Sequence, residues 1–62
     1  MNTSSAKERR ALILRMLEQQ EEVSVVALSR ETGISEVTIR KDLTILQSRH
    51  LLLRTRGGAM RK

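Results

Sequence analysis

Residues 26–43 read VALSRETGISEVTIRKDL and contain the pattern that decides the fold. Residues 26–32 form a short segment anchored by Leu28, and Gly33 follows at a point where a helix end favours a left-handed residue. Ser35 can then cap a second helix, because its hydroxyl can accept a hydrogen bond from a backbone N–H of the first turn. Two helices joined by a short glycine-containing turn make a helix-turn-helix.

The second of these helices is predicted over residues 36–49. At about 100° per residue, Ile39, Leu43 and Leu46 share one face, which we expect to be buried. A helix fits the major groove of DNA, where polar and methyl-bearing side chains can contact base edges. The opposite face is suited to that role, since it carries Val37, Lys41, Thr44 and Ser48, with Arg40 at one edge.

Two further elements are predicted before the helix-turn-helix. A first helix over residues 5–20 is indicated by apolar residues at helical spacing, among them Ile13 and Leu17. The alternation of residues 23–25 predicts a very short strand, which can only be an edge or a bridge. The cap of the first helix is expected among Thr3, Ser4 and Ser5.

The C-terminal part of the chain predicts a β-hairpin, or wing. Residues 51–54 form a predicted strand, residues 56–58 a turn and residues 59–62 a returning strand. Arg54 and Arg56 lie at the tip of this hairpin, where cations can contact phosphates beside the groove. The predicted fold is therefore a mainly α winged helix-turn-helix, with three helices and a small sheet in a single domain.

The charge is unevenly distributed along the chain. Residues 1–35 contain five basic and five acidic side chains, whereas residues 36–62 contain seven basic and two acidic ones, so the second part contributes the whole net charge of +5. A basic segment beside a neutral one is expected of a nucleic-acid-binding protein, since phosphate neutralisation supplies much of the affinity. The charge alone is equally compatible with a solubilising surface.

Length and composition restrict the possible functions. The 62 residues include no cysteine and a single histidine, His50, which excludes disulfides and thiolate metal sites and leaves no second imidazole to share a metal. A chain this short rarely encloses a ligand pocket. The apolar run at residues 51–53 is far too short to span a membrane, and the polar residues 1–5 are unlike a signal peptide. We expect a soluble cytoplasmic protein with no cofactor, metal or catalytic residue.

Two motifs relate the sequence to a known family. TIRKDL at residues 38–43 is followed by RTRGGA at residues 54–59, and with these motifs the chain resembles the N-terminal DNA-binding domain of the DeoR family of bacterial repressors. The resemblance covers nearly the whole chain. Other residues that match the family pattern in order and spacing are Arg9, Arg10, Ile13, Leu17, Val23, Val25, Leu28, Gly33, Ser35 and Leu46.

The resemblance implies a function and a larger protein. Family members are mostly repressors, less often activators, whose larger C-terminal domain binds a phosphorylated sugar or related metabolite that alters operator affinity. Residues 1–62 are therefore expected to be the operator-recognition domain of a longer repressor of a carbohydrate-metabolism operon. The full-length protein is expected to be homo-oligomeric and responsive to a sugar phosphate through the C-terminal domain.

The sequence departs from the family pattern at three positions. His50 stands where the family usually has glycine, which would cost about 1 kcal/mol if the residue is left-handed, although histidine tolerates that conformation better than most. Arg56 replaces the usual histidine and adds a permanent cation to the wing, while Gln47 replaces a common glutamate and removes a negative charge. The last two changes are expected to strengthen attraction to phosphate.

Eight residues are predicted to contact DNA. Arg40 and Lys41 follow the cap within two turns, where a recognition helix enters the groove, and Val37 can contact a thymine methyl group there. Ser35 is expected to act mainly as the cap, and Thr38 is as well placed for a local hydrogen bond as for a phosphate contact. The full set is Ser35, Val37, Thr38, Arg40, Lys41, Thr44, Arg54 and Arg56.

Three charged residues outside this set are expected to have other partners. Asp42 lies next to the predicted buried face and is expected to pair with an arginine, either Arg10 or Arg54. Arg9 and Arg10 begin the first helix, where cations oppose the helix dipole, so a phosphate is a candidate partner for both.

Two other classes of function are alternatives to DNA binding. A winged-helix domain that binds another protein would be expected to present an apolar outward face, whereas this one carries Arg40 and Lys41. An enzyme would need a nucleophile with a base, or a metal site, and one histidine with scattered acids supplies neither. The sequence therefore predicts a domain that binds double-stranded DNA.

Overall fold

The computed structural model describes residues 5–62, which form three helices and three strands. The predicted mainly α winged helix-turn-helix is confirmed. None of the described helices is long and apolar enough to cross a membrane. In chain order the elements are α1 (Ala6–Gln20), β1 (Glu22–Ser24), α2 (Val25–Thr32), α3 (Glu36–Ser48), β2 (Leu53–Thr55) and β3 (Gly58–Met60).

The first helix begins and ends close to the predicted positions. Ser5 caps α1, since its Oγ accepts a hydrogen bond from the backbone N–H of Glu8 at 3.1 Å. The other two candidate caps, Thr3 and Ser4, lie outside the described residues. The helix ends at Glu21, which has a positive φ of 67° and donates its N–H to the carbonyl oxygen of Leu17.

The short strand before α2 lies one residue earlier than predicted. Ser24 accepts a hydrogen bond through Oγ from the N–H of Ala27 at 2.9 Å and so caps α2. This cap makes Val25 the first residue of the helix, and the prediction of residues 23–25 as a strand was wrong at that position. Val25 is nevertheless buried, because α2 presents it to the same core.

The turn of the helix-turn-helix is built as the sequence indicates. Gly33 adopts the left-handed conformation, with a φ of 74°, and donates its N–H to the carbonyl oxygen of Ser29 at 2.8 Å. Ser35 caps α3 from an extended conformation, through a 3.3 Å hydrogen bond from the N–H of Thr38 to its Oγ. The turn therefore fixes the direction in which α3 leaves α2.

The sheet is antiparallel, with β3 between β1 and β2. Ala59 of β3 pairs with Val23 on one side and Arg54 on the other. Gly58 belongs to β3 rather than to the predicted turn, and it is buried against β1. A Cβ atom at Gly58 would overlap the carbonyl oxygen of Val23, so this close approach of two strands requires glycine.

The first wing strand begins later than predicted because the residues just before β2 end α3 and enter the core. His50 has a positive φ of 62°, and Leu51 donates its N–H to the carbonyl oxygen of Leu46 at 3.0 Å, which closes the helix. Leu52 then turns into the core. The predicted strands at residues 51–54 and 59–62 are therefore corrected to β2 and β3.

One aliphatic core is formed by residues of all three helices, of β1 and of β3, together with Leu52 just before β2. The expected stripe on α3, made of Ile39, Leu43 and Leu46, is fully buried. It packs against the other buried apolar side chains, and Leu14, Met16 and Ile34 cover the edge of the cluster. The remaining buried apolar residues are Ile13, Leu17, Val23, Val25, Leu28, Leu52 and Ala59.

Candidate nucleic-acid interface

The outward face of α3 is the centre of the candidate interface. Because Ile39, Leu43 and Leu46 hold the opposite face in the core, the side chain of Val37 is left 58% exposed, and Lys41 and Thr44 are also exposed. An exposed valine beside a lysine has no packing role within the domain. The face can offer methyl groups and a cation to a partner whose groove is wide enough for one helix.

Ser35 and Thr38 lie at the start of α3 and bond to each other. The hydroxyl of Ser35 donates to Oγ1 of Thr38 at 3.1 Å while it accepts the N–H of the same residue. The predicted cap at Ser35 is therefore present, and Thr38 makes the local hydrogen bond that was one of its two interpretations. Ser35 is exposed and Thr38 is half-buried.

Arg40 and Lys41 differ in their pairing. Arg40 donates from Nη2 to Oε1 of Glu36, one turn earlier on α3, at 3.1 Å, and both side chains are about half exposed. Such an exposed pair contributes little to stability. Lys41 is exposed and makes no ion pair with any residue of the described chain. Lys41 is thus the cation of this face that is ready to contact a partner.

Arg54 is directed onto α3 rather than into solvent. Its Nη1 donates to Oγ1 of Thr44 at 2.8 Å, and its backbone N–H donates to Oε1 of Gln47 at 2.7 Å. The Thr44 hydroxyl in turn donates to the carbonyl oxygen of Arg40. Nε of Arg54 is buried without a hydrogen-bond partner in residues 5–62. Two α3 side chains therefore attach the wing to the helix.

Arg56 occupies the tip of the wing, in the turn between β2 and β3, and is exposed. The turn is attached to α2, since the N–H of Val25 at the start of α2 donates to the carbonyl oxygen of Gly57 at 2.8 Å. Arg56 makes no ion pair with the residues that the structure describes. Its guanidinium thus extends from a fixed hairpin.

Asp42 is the one buried charged side chain of the described residues, with 2% exposure. Arg9 donates to it twice, from Nε to Oδ2 at 2.7 Å and from Nη2 to Oδ1 at 3.0 Å. Arg10 adds one bond from Nε to Oδ1 at 3.2 Å. Of the two expected partners, Arg10 is found and Arg54 is not, because Thr44 and Gln47 hold Arg54 near a different side of α3.

The pairing with Asp42 raises the pKa of Arg9. The hydrogen bond to the carboxylate, and secondarily its charge, raise the pKa of Arg9 above the ordinary value against the opposing effect of burial. A raised pKa stabilises the fold at every pH below the unfolded-state value, and that contribution is lost only as the pH rises through the folded-state value. The contribution of Arg9 to the stability of the fold therefore does not change with pH around neutrality.

The structure brings some predicted contact residues together and separates others. Arg40, Lys41 and Thr44 line a shallow hollow on α3 together with Ile45, which is not among the predicted contact residues. Ser35 and Thr38 lie at one end of the helix, and the wing supplies Arg56 beyond its edge. Ile45 could have been found from its helical position beside Lys41, whereas the role of Gln47 requires knowledge of where the wing lies.

The described residues contain no group of three or more His, Asp or Glu side chains arranged to hold a metal ion. The candidate interface combines cations, hydroxyls and a valine on the outward face of α3 and at the wing tip. Its chemistry is that of surface recognition of an anionic partner, through hydrogen bonds, charge and methyl contacts.

Known proteins similar to this chain are transcriptional regulators. Residues 9–62 match the DeoR-like helix-turn-helix domain family. An inferred aga operon transcriptional repressor of Escherichia coli O157:H7 is 42% identical over 57 residues, which cover 92% of this chain and 21% of that protein. The L-fucose operon activator of Haemophilus influenzae is 47% identical over 49 residues, 79% of this chain and 20% of that protein.

A third relative is an uncharacterized HTH-type transcriptional regulator, FruR, of Bacillus subtilis, which is 42% identical over 52 residues, 84% of this chain and 21% of that protein. The chain thus spans about a fifth of the length of the curated relatives that it matches. No solved structure matches the chain significantly.

Proposed function

The chain belongs to the DeoR-like helix-turn-helix domain family, and from this premise we propose that it binds double-stranded DNA sequence-specifically, as the operator-recognition domain of a transcriptional repressor. The observation that carries the proposal is the outward face of α3, where Val37 and Lys41 are exposed opposite a fully buried stripe. The proposed site comprises Ser35, Val37, Thr38, Arg40, Lys41, Thr44, Arg54 and Arg56.

In the proposed complex α3 lies in the major groove. Lys41 donates to acceptors on base edges, and Val37 contacts a thymine methyl group. Arg40 exchanges its exposed partner Glu36 for DNA at small cost, since that pair is half exposed. Thr44 contributes mainly through its methyl group, because its hydroxyl is already bonded on both sides within the domain.

Phosphate contacts surround this reading face. Arg56 reaches a phosphate beside the groove from the wing tip, while Ser35 and Thr38 contact the backbone near the start of α3. Arg54 contributes positive charge at the junction of the wing and α3, where its Nη1 already donates a hydrogen bond to Thr44. The net charge of residues 36–62 supports such binding through counterion release.

The names of the relatives bear on the regulated operon and on the sign of regulation. One relative is named as a repressor and another as the activator of an L-fucose operon. We propose that this chain belongs to a cytoplasmic repressor of carbohydrate metabolism that is homo-oligomeric and responds to a sugar phosphate. These two properties are assigned to the longer protein, because this chain spans only about a fifth of its relatives' length.

Selection from a random duplex library tests the function. Immobilised protein should enrich a short consensus over successive rounds, and a duplex with that consensus should bind at least about 10³-fold more tightly than a scrambled one at fixed salt. Binding without enrichment of any consensus would show that the domain binds nucleic acid non-specifically. Failure to retain any duplex would favour the winged-helix protein-interaction module instead.

A second measurement tests where the effector acts. Sugar phosphates titrated into the complex of this domain with its selected duplex should leave the affinity unchanged. A shift in affinity at sub-millimolar effector would contradict the assignment of effector binding to the rest of the longer protein.

A further inference from the structure

We propose that Arg10 forms a second phosphate-binding site, on the side of α3 opposite the wing, so that the domain holds the DNA backbone on both walls of the groove. This proposal rests on the DNA-binding function proposed above. It assigns to the start of α1 a contact with DNA that is independent of Arg54 and Arg56.

The two arginines on Asp42 make unequal contacts with its carboxylate. Arg9 takes both carboxylate oxygens with two hydrogen bonds of 2.7 and 3.0 Å, which is enough to satisfy the buried charge. Arg10 makes one longer bond of 3.2 Å, through Nε alone. Its Nη1 and Nη2 have no partner within residues 5–62, and neither is a buried unsatisfied atom, so both face solvent.

The cluster of Arg9, Arg10 and Asp42 carries an excess of positive charge. Two guanidinium groups share the single carboxylate of Asp42, which leaves one net positive charge held at a fixed place on the surface. The side chain of Arg10 is only 22% exposed and its Nε is bonded to Asp42, which restricts the directions that its terminal nitrogens can take. A fork of N–H donors held in this way matches the geometry of a phosphate.

Arg10 and the wing contact α3 at different positions around the helix axis. Asp42 and Thr44 are two residues apart and so about 160° apart around the helix, with Lys41 between them on the exposed side. The wing meets α3 at Thr44 through Arg54, and α1 meets it at Asp42 through Arg10. The two arginines therefore flank the proposed reading face, as the two phosphate backbones flank a major groove.

The test compares the salt dependence of duplex binding for the wild type with that of single charge-removing variants. Arg10→Gln is expected to lower the slope of log affinity against log salt by about 0.9, the value for one phosphate contact, and Arg56→Gln by a similar amount. Arg15→Gln is the matched control, since Arg15 is an exposed cation of the same helix without an ion pair in the described chain. It should leave the slope unchanged.

The phosphate itself is identified with methylphosphonate substitutions along the selected duplex. A single neutral methylphosphonate on the groove wall opposite the Arg56 contact should weaken duplex binding by the wild type. The same substitution should not weaken duplex binding by Arg10→Gln any further. Because Asp42 keeps both bonds from Arg9, the variant is expected to fold, which circular dichroism checks. If the variant unfolds below the temperature of the binding measurement, the side-chain ¹⁵N NMR signals of Arg10 in the wild type are followed instead. A shift of these signals on addition of duplex shows that Arg10 contacts DNA.

Three results overturn the proposal. An unchanged slope for Arg10→Gln, with Arg56→Gln lowering it, would make Arg10 a structural partner of Asp42 only. Unshifted Arg10 signals in a saturated complex would do the same. Failure of the wild type to bind any duplex would overturn the DNA-binding function itself, and this site with it.

Discussion

Arg9 of α1 donates two hydrogen bonds, of 2.7 and 3.0 Å, to the buried carboxylate of Asp42 on α3. The pair joins residues 33 positions apart in the sequence. Removing one partner of a buried pair leaves a charge with too few hydrogen bonds, which costs far more than the loss of an exposed bond. The first turn of α1 is therefore fastened to the middle of the helix that carries the candidate interface.

We expect Arg9→Ala to destabilise the domain by about 3 kcal/mol, because one hydrogen bond from Arg10 then remains for the whole carboxylate. Arg10→Ala should cost only about 1 kcal/mol, since Asp42 keeps both bonds from Arg9. Urea unfolding followed by circular dichroism measures both values. Equal losses for the two variants would show that the arginines share the carboxylate evenly.

Gly57 and Gly58 are adjacent but should respond oppositely to alanine. A methyl group at Gly58 would overlap the carbonyl oxygen of Val23 and push β1 away from β3, so we expect a loss of about 3 kcal/mol or more. A methyl group at Gly57 meets no atom within 4 Å, and Gly57→Ala should be neutral or slightly stabilising. Thermal melts of the two variants decide this. Similar melting temperatures for Gly57→Ala and Gly58→Ala would mean that β1 can move away from β3 at little cost in stability.

His50 occupies a left-handed position at the end of α3, with a φ of 62°. His50→Gly should therefore stabilise the fold by up to about 1 kcal/mol, through relief of backbone strain. Arg49, with a φ of −95°, is the matched control, and Arg49→Gly should lower the melting temperature. A fall in melting temperature for His50→Gly would show that the imidazole contributes more than its backbone costs.

Gln47 supports the wing through a 2.7 Å hydrogen bond from the N–H of Arg54. Gln47→Glu keeps the acceptor and adds charge, so we expect unchanged or higher stability but weaker binding to all duplexes, because the carboxylate repels phosphate. Gln47→Ala should instead lower stability by about 1 kcal/mol. Melting and duplex titration at low salt separate the two effects. Undiminished DNA affinity in Gln47→Glu would place phosphates far from this side chain.

Lys41 and Arg56 are expected to differ in what they contribute to binding. Lys41→Ala should cost about 1 to 3 kcal/mol on the selected duplex and flatten the preference at one or two base positions. Arg56→Ala should weaken all duplexes about equally and reduce the salt slope by about one unit. Competition titrations against single-base variants of the duplex measure both. If Arg56→Ala changes the sequence preference while Lys41→Ala does not, the wing is the reader.

Local sequence was sufficient to predict the helix-turn-helix and the orientation of α3. Gly33 and Ser35 mark a helix end and a helix start through interactions within a few residues, and the period of Ile39, Leu43 and Leu46 fixes which face is buried. These are short-range effects of backbone conformation and helical geometry, so they can be read from neighbouring residues.

Tertiary structure decided the features that join distant parts of the chain. The choice of Arg9 and Arg10 for Asp42, the attachment of Arg54 to Thr44, and the place of Gly58 within β3 all depend on which elements pack together. Hydrogen bonds between long side chains, and the register of three-residue strands, carry almost no periodic signal in the sequence. They are selected by the geometry of the packed core, which sets which donors, acceptors and backbones come within reach.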